Sequence, residues 1–312
     1  MIHKMSNELF SRLISNQLFP NLTWLRSIGF EFWMVSFTPF FIGYVVGAKV
    51  LFDFDLFYGF AIVALLTSST FLLNHICDLE FDRKNPRKEF SLLVRGSITV
   101  RQAWYLFWFF QTSCLIMSLR YNSEFIYCIL GLTFISFVYN LEPFRLKTRP
   151  GIDIVCNGIS LGFLLPLAAW SINQSAIDFP RLYFFATFCY LMALYCPTMA
   201  VDFDFDRKSG INTFATKFGA IFTMRLSWTF TIIGVLTLLY CGFLEIFPWN
   251  YKLLLWTGWI LPLEIIIHYI YLPINSQPTY ETVAKGSIIL ATVEAVATLF
   301  FFIIFLDLIP ID

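Results

Sequence analysis

The sequence predicts an all-α integral membrane protein, with nine transmembrane helices bundled around a central cavity. Hydrophobic residues make up 58% of the 312 residues and charged residues only 13%, whereas a soluble domain has about a quarter charged residues. Apolar runs of roughly 18 to 24 residues recur along the chain, and each is long enough to cross a bilayer as a helix. We therefore expect residues 1–312 to form a single membrane domain in contact with the lipid bilayer.

The apolar runs define the predicted spans. Residues 1–27 mix charged and apolar side chains, so we expect an amphipathic segment at the membrane surface rather than a signal peptide. No Cys-x-x-Cys pair occurs among the seven cysteines, so neither a disulfide framework nor a zinc site is indicated. The zero net charge gives no indication of a nucleic-acid partner. The nine predicted spans are 28–48, 56–76, 101–119, 124–140, 153–171, 181–200, 221–244, 251–272 and 286–308.

Lysines and arginines are distributed unequally between the two sides of these spans. With a cytoplasmic N-terminus, seventeen of the 21 fall on the cytoplasmic side, as the positive-inside rule requires. We therefore expect a multi-pass protein of the inner (cytoplasmic) membrane, whose N-terminus and polar loops 77–101 and 201–220 face the cytoplasm. The other four basic residues are Lys49, Arg120, Arg181 and Lys252.

Two acidic pairs with equal spacing follow the second and sixth spans. Asp202 and Asp206 lie 124 positions after Asp78 and Asp82, so we expect two parallel four-helix repeats plus one helix, with a site between the halves. Residues four apart share a helix face, which would align Asn74 with the first pair. Mg²⁺ prefers oxygen ligands and usually takes one or two carboxylates together with substrate phosphates. The predicted metal ligands are Asn74, Asp78, Asp82, Asp202 and Asp206.

A solvated loop with helix-capping carboxylates is the alternative explanation for either acidic motif alone. Three acidic residues within five positions, Asp202, Asp204 and Asp206, are costly near lipid unless they are paired or bind a metal. Two matching copies, each followed by basic residues, favour a site for a metal-bridged diphosphate. The basic residues that would neutralise the remaining charge are Arg83, Lys84, Arg207 and Lys208.

These motifs resemble those of the UbiA family of intramembrane prenyltransferases, and the resemblance covers essentially the whole chain. The family carries an Asn-Asp-x-x-Asp-x-x-x-Asp motif after its second helix and an Asp-x-x-x-Asp motif after its sixth. His75 stands where the family usually has Asp, which makes the first cluster less acidic. The resemblance implies Mg²⁺-dependent transfer of a prenyl group from an allylic prenyl diphosphate to a lipophilic acceptor. The matching residues are Asn74, Asp78, Asp82, Asp202 and Asp206.

Segment 139–153 matches a third family pattern, Tyr-x-x-x-Pro-x-Arg-x-Lys, after the fourth helix. The resemblance implies that Lys147 reaches the diphosphate, that Tyr139 reaches the cavity and that Asp153 opens the fifth helix. From the residues alone, Arg145 and Lys147 can point to one side of an extended loop, and anchoring at the membrane surface is the alternative. The predicted catalytic residues are Asp78, Asp82, Asp202, Asp206, Lys147 and Tyr139. The predicted diphosphate-binding residues are Asn74, Arg83, Lys84, Arg145, Lys147, Arg207 and Lys208.

The acceptor is less constrained than the donor. Residues 85–88 and 148–153 are similar to the lycopene elongase branch, which implies a carotenoid such as lycopene. The alternatives are a polyprenyl phosphate in a phosphoribosyl transfer, a chlorin or quinone precursor, or cyclisation without an acceptor. A transporter is the alternative of another class, but its charges would lie within the spans rather than at their ends. Three ionisable groups inside predicted spans fit either a substrate cavity or a helix–helix hydrogen bond: Glu264, His268 and Glu294.

Overall fold

The computed structural model describes residues 28–48, 52–85 and 91–243 continuously, together with 25, 50, 88–89, 265–267, 269–279, 281–283, 285–286 and 289. These residues form helices, turns and loops without a strand, which confirms the all-α prediction for this part of the chain. The helices are α1 Phe30–Ala48, α2 Phe54–Cys77, α3 Leu79–Asp82, α4 Val100–Ser118, α5 Ser123–Asn140, α6 Ile152–Ile159, α7 Leu165–Ser171, α8 Arg181–Ser209, α9 Phe214–Phe218 and α10 Ala220–Phe243.

Helices occur at each of the first seven predicted spans. The fifth span comprises α6 and α7, which a single π turn, Ser160–Leu164, joins into one continuous segment. Five of the segments within the described residues are long and apolar enough to cross a membrane: Phe54–Cys77, Ser123–Asn140, Ile152–Ser171, Arg181–Ser209 and Ala220–Cys241.

The last two predicted spans and the N-terminal segment are not tested by the described residues. Of the eighth span, 251–272, the described residues 265–267 and 269–271 are helical. The ninth span, 286–308, and the amphipathic segment 1–27 lie almost wholly outside the described residues, so the count of nine is not confirmed. The intramembrane groups Glu264, His268 and Glu294 also lie outside them.

Side chains that accept hydrogen bonds from first-turn N–H groups set the beginnings of three helices. The Asp53 carboxylate accepts from the Leu56 N–H at 2.8 Å where α2 begins. Thr99 and Gln102 form a capping box at the start of α4, and Asn122 caps α5. These caps explain why the apolar runs break into separate helices at the predicted positions.

The described helices pack in two groups. Helix α1 packs against α2 and α7, and α2 also packs against α4, whereas α8 packs against α6 and α10. The first group buries a core that includes Phe40, Tyr44, Ile62, Phe125 and Leu165. The second buries Ile154, Met192, Cys196, Met199 and Ala215.

Two glycines allow helices to approach closely. A Cβ atom at Gly43 would overlap the Pro166 backbone, and one at Gly162 would lie 2.5 Å from the Cα of Phe188. Small residues of this kind are typical of helix contacts in membranes, where close backbone packing stabilises association. Gly43 brings α1 against α7, and Gly162 brings the π turn of the fifth span against α8.

The second acidic motif differs from its prediction as a loop. Helix α8 continues through Ser209, so Asp202 and Asp206 lie on its last two turns, and only part of 201–220 is loop. Phe203 packs against the core beside α8, which supports the helix beyond the apolar run. Gly210 then ends the helix with a φ of 71°, a left-handed conformation that glycine adopts without strain.

We expect Gly43→Ala to lower the free energy of unfolding by about 1–3 kcal/mol, because the added methyl must push α1 away from the Pro166 backbone. Thermal unfolding of the full chain in detergent measures the effect. Gly131→Ala is the matched control, since its Cβ would meet only a Leu164 methyl at an ordinary 3.5 Å. Equal melting temperatures for the two variants would contradict the close packing at Gly43.

Candidate functional site

The first acidic pair begins where α2 ends. Asp78 is the C-cap of α2, and its own backbone is not helical. Its N–H nevertheless donates to the Asn74 carbonyl at 2.9 Å, and the Asp82 N–H donates to the Asp78 carbonyl at 2.8 Å. Because these bonds keep the four-residue spacing across the break, Asn74, Asp78 and Asp82 follow one helical path, as the sequence predicts.

The loop between α5 and α6 carries the basic residues of the third motif. Arg145 has a φ of 35°, a left-handed conformation that is uncommon for a residue with a side chain. Its N–H bonds to the Leu141 carbonyl at 2.8 Å, and its own carbonyl accepts from the Thr148 hydroxyl at 2.9 Å. This strained turn precedes a 3₁₀ turn, Leu146–Thr148, which contains Lys147. Strain of this kind concentrates at functional sites.

Lys147 is the centre of the hydrogen-bond network at this site. Its ammonium donates to the Asp78 Oδ2 at 2.7 Å, to the Asn74 Oδ1 at 3.0 Å and to the Asn140 Oδ1 at 3.0 Å. All three of its donors are therefore used. Burial lowers the pKa of Lys147, while the charge of Asp78 opposes that shift. Asn140 was not predicted from the sequence, although it directly follows Tyr139.

Arg145 contacts the other oxygen of the same carboxylate. Its Nη2 donates to the Asp78 Oδ1 at 2.9 Å, and its guanidinium lies over the Phe81 ring at 5.3 Å. Glu142, which is exposed, lies 3.4 Å from Nη1. Within the described residues, the buried Nε of Arg145 has no hydrogen-bond acceptor. Two predicted diphosphate-binding residues thus meet at Asp78.

Asp82, one turn after Asp78, is buried. Its Oδ2 has no hydrogen-bond donor among the described residues. Burial is the main cause that raises the pKa of Asp82 to about 6; the charge of Asp78 adds to the shift, and Lys88 and Lys147 oppose it. A buried carboxylate of this kind is costly in its charged form unless a cation approaches it.

The remaining predicted residues lie directly after α3 and near the end of α8. Asp202 and Asp206 are half-buried on α8, and the Oδ1 of Asp202 is buried. The described residues contain no group of three His, Cys, Asp or Glu side chains placed to hold a metal ion, so the predicted ligand set stays a prediction. Four predicted diphosphate-binding side chains are exposed: Arg83, Lys84, Arg207 and Lys208.

A partly buried tyrosine pair joins the two groups of helices. The hydroxyls of Tyr139 on α5 and Tyr195 on α8 lie 2.6 Å apart. The Asn157 Nδ2 on α6 donates to the Tyr139 hydroxyl at 3.2 Å. Tyr139 was predicted to reach the cavity, but Tyr195 and Asn157 were not, because nothing in their spacing distinguishes them from residues of an ordinary apolar helix.

Asp153 ties the loop that carries Lys147 to the loop that follows the second acidic pair. Its carboxylate is fully buried, and Oδ1 accepts from the N–H groups of Gly151 at 2.7 Å and Ile154 at 2.9 Å. Oδ2 accepts from the Phe214 N–H at 2.9 Å, at the start of α9. This bond brings together residues 61 positions apart.

A cleft of about 370 Å³ opens between these two loops. Phe81, Glu142, Arg145 and Thr148 line one side, and 210–212 line the other. Arg145 therefore lines an open cleft and also contacts Asp78 through its guanidinium.

Comparison with known proteins gives matches of three kinds, to a family model, to solved structures and to protein sequences. The family model described as "UbiA prenyltransferase family" matches residues 36–281. The structure of a UbiA homolog from Archaeoglobus fulgidus bound to GPP and Mg²⁺ superimposes with a TM-score of 0.71 at 23% identity, covering 88% of this chain and 98% of that one. This likeness shows the fold.

Two plant proteins are similar in sequence over part of the chain. Probable homogentisate phytyltransferase 2, chloroplastic, from Oryza sativa is 30% identical over 181 residues, which is 53% of this chain and 45% of that protein. The 2-acylphloroglucinol 4-prenyltransferase, chloroplastic, from Humulus lupulus is 31% identical over 162 residues, 47% of this chain and 38% of that protein. Each match thus spans less than half of the plant protein.

We expect the metal-depleted protein to lose stability as the pH rises through about 6. The pKa of Asp82 is raised from 3.8 to about 6 in the folded state, so its contribution is fully present below about pH 4 and is lost above about pH 6. Melting temperatures in detergent with a chelator, between pH 4 and 7.5, measure the effect.

Asp82→Asn should weaken this pH dependence and melt higher than the wild type at pH 7.5, because no buried charge remains. Asp204→Asn is the control, since Asp204 is exposed on α8 and contacts the Gln277 amide at 3.3 Å. A wild type and an Asp82→Asn variant with identical pH profiles would contradict the burial of a charged Asp82.

Proposed function

The chain belongs to the UbiA prenyltransferase family, and on that premise we propose that it is an Mg²⁺-dependent enzyme of the membrane. It transfers a prenyl group from an allylic prenyl diphosphate to a lipophilic acceptor. The coarse class follows from the family, whose model matches most of the chain, and from the plant relatives, which are named as transferases of phytyl or prenyl groups.

One observation supports the proposal most strongly, namely the arrangement of partly buried charges around Asp78. Lys147 and Arg145 both donate to its carboxylate. Beside it lie a buried donor without an acceptor, the Arg145 Nε, and a buried acceptor without a donor, the Asp82 Oδ2, among the described residues. A phosphate oxygen would satisfy the first and a cation would satisfy the second. A cation-bridged diphosphate supplies both.

The donor atoms at this site fit Mg²⁺. Asn74, Asp78 and Asp82 offer amide and carboxylate oxygens, which are the ligands that Mg²⁺ prefers, and Asp202 and Asp206 are proposed to complete the set from α8. The A. fulgidus homolog with Mg²⁺ and GPP supports this assignment. When bound, Mg²⁺ neutralises the diphosphate and makes it a better leaving group.

Lys147 and Arg145 are proposed to bind the diphosphate directly. The lysine ammonium stabilises negative charge on the leaving oxygen as the allylic C–O bond breaks and its electron pair departs with the diphosphate. The fork of the arginine suits two phosphate oxygens. The exposed side chains of Arg83, Lys84, Arg207 and Lys208 supply positive potential that attracts the diphosphate.

Tyr139 is proposed to line the cavity that binds the prenyl chain. Its hydroxyl bonds to Tyr195 and Asn157, which fixes its ring between α5, α6 and α8. An aromatic ring can stabilise an allylic cation without reacting with it. The acceptor then forms the new bond to the allylic carbon and loses a proton, while the surrounding bilayer limits access of water.

The acceptor is the open part of the proposal. The names of the plant relatives favour a phenolic acceptor, while residues 85–88 and 148–153 favour a carotenoid such as lycopene. The phenolic class is therefore the first to test and the carotenoid the second. We further propose that the Asp-bearing helix ends face the cytoplasm of a multi-pass membrane protein, as the distribution of basic residues predicts.

The full chain in lipid nanodiscs should convert an allylic diphosphate and an acceptor into a prenylated product when Mg²⁺ is present, with release of pyrophosphate. Homogentisate and lycopene are the two acceptors to test with geranyl and geranylgeranyl diphosphate, and mass spectrometry identifies the product. Asp78→Ala and Asp202→Ala should each lose at least about 100-fold in rate, because the Mg²⁺ that would stabilise the developing charge on the diphosphate loses a ligand.

Asp204→Ala is the matched control, because it removes an exposed acid from the same motif and should keep the activity. Full Mg²⁺-dependent turnover by Asp78→Ala or Asp202→Ala would contradict the proposed site. Pyrophosphate release without any prenylated acceptor, together with a new cyclic hydrocarbon, would identify a cyclase instead.

A further inference from the structure

Both oxygens of the Asp78 carboxylate are occupied by positive charges of the chain itself. The Lys147 Nζ lies 2.7 Å from Oδ2 and the Arg145 Nη2 lies 2.9 Å from Oδ1. The side chains of the three residues are between 11% and 20% exposed, so solvent screens these contacts only partly. The carboxylate proposed as a metal ligand is thus already paired with two cations.

Lys147 donates hydrogen bonds to more than one proposed metal ligand. The same ammonium that donates to Asp78 also donates to the Asn74 Oδ1 at 3.0 Å, so a single side chain covers oxygen atoms of two of the five proposed metal ligands. Its third acceptor, the Asn140 Oδ1, is not a proposed ligand. The Asn140 amide is itself fixed by a bond from its Nδ2 to the Ser136 carbonyl at 2.9 Å.

Contacts within the fold fix the positions of these two cations. The loop of Arg145 and Lys147 is closed by the 3₁₀ turn. At its end, the buried Asp153 bonds to the Phe214 N–H, and Arg145 lies over the Phe81 ring. Contacts with α3 and α9 therefore hold this loop and its charges near Asp78.

A divalent metal that arrives alone meets an unfavourable site. It must displace Lys147 or Arg145 from Asp78, or lie beside two positive charges that share a single carboxylate, which is costly in a partly buried site. A diphosphate changes this balance, because its oxygens can accept the hydrogen bonds that Lys147 and Arg145 now donate to Asp78. The released carboxylate and the Asn74 amide oxygen then face the metal.

We propose that Lys147 and Arg145 act as placeholder cations, which occupy Asp78 and Asn74 until a diphosphate arrives, so that the metal binds tightly only together with the diphosphate. The inference rests on the proposed function and adds an order to it: the two charges transfer from Asp78 to phosphate oxygens as the metal takes their place. Once the diphosphate has left, Lys147 would again donate to Asp78 and lower the affinity of the site for a metal.

Binding of Mn²⁺ to the full chain in detergent tests the proposal without catalysis. Electron paramagnetic resonance measures bound Mn²⁺ with and without inorganic pyrophosphate, after correction for the complex of the two in solution. We expect wild-type affinity for Mn²⁺ to rise at least about tenfold with pyrophosphate, and Lys147→Met to bind Mn²⁺ alone at least about tenfold more tightly than the wild type. In Lys147→Met the gain from pyrophosphate should shrink.

Lys217→Met is the matched control, because it removes an equal charge from an exposed position beyond the second acidic pair, and its affinity for Mn²⁺ alone should stay within about threefold of the wild type. Arg145→Gln is the second variant, and it should also bind Mn²⁺ alone more tightly. It decides the question if Lys147→Met does not fold.

The outcomes separate the inference from the function on which it rests. Wild type that binds Mn²⁺ equally tightly with and without pyrophosphate would overturn the placeholder role and leave the metal site in place. Folded variants that gain no affinity for Mn²⁺ alone would overturn it as well. Wild type that binds no Mn²⁺ even with pyrophosphate would instead overturn the proposed Mg²⁺–diphosphate site, and the inference with it.

Discussion

The contact between Lys147 and Asp78 is the interaction on which the site depends. It joins residues 69 positions apart and places a buried ammonium among carboxylate and amide oxygens near the end of a membrane-spanning helix. A charge in such a place is stable only when paired and fully hydrogen-bonded, and Lys147 satisfies both conditions through Asp78, Asn74 and Asn140. The basic loop and the first acidic pair therefore form one unit.

Other contacts among the described residues connect that unit to the elements that carry and follow the second acidic pair. Asp153 ties the basic loop to α9 through the Phe214 N–H, and Tyr139 meets Tyr195 of α8. A close contact at Gly162 in the π turn brings the fifth span against α8, and one at Gly43 brings α1 against α7 within the first group. Because α8 remains helical through Ser209, it supplies Asp202 and Asp206 from a rigid element rather than from a loop.

The sequence predicted the parts that depend on local pattern. Apolar length placed the first seven helices, and the repeated spacing of aspartates indicated the candidate site. Lys147 was assigned by family resemblance. The sequence could not predict contacts that arise only from packing. Asn140 and Tyr195 look like ordinary helix residues until the fold brings them to Lys147 and Tyr139. The continuation of α8 depends on Phe203 packing against neighbouring elements. Because the surrounding motif is charged, the sequence alone does not indicate this packing.

A structure of the full chain with Mn²⁺ and a non-reactive thiolodiphosphate analogue of the prenyl donor tests the central claim most directly. The account predicts an anomalous Mn²⁺ peak about 2.1 Å from oxygens of both aspartate pairs, with the Lys147 ammonium moved from Asp78 to a phosphate oxygen. Mn²⁺ bound away from Asp78 and Asp202, or a diphosphate that does not contact Lys147, would contradict it.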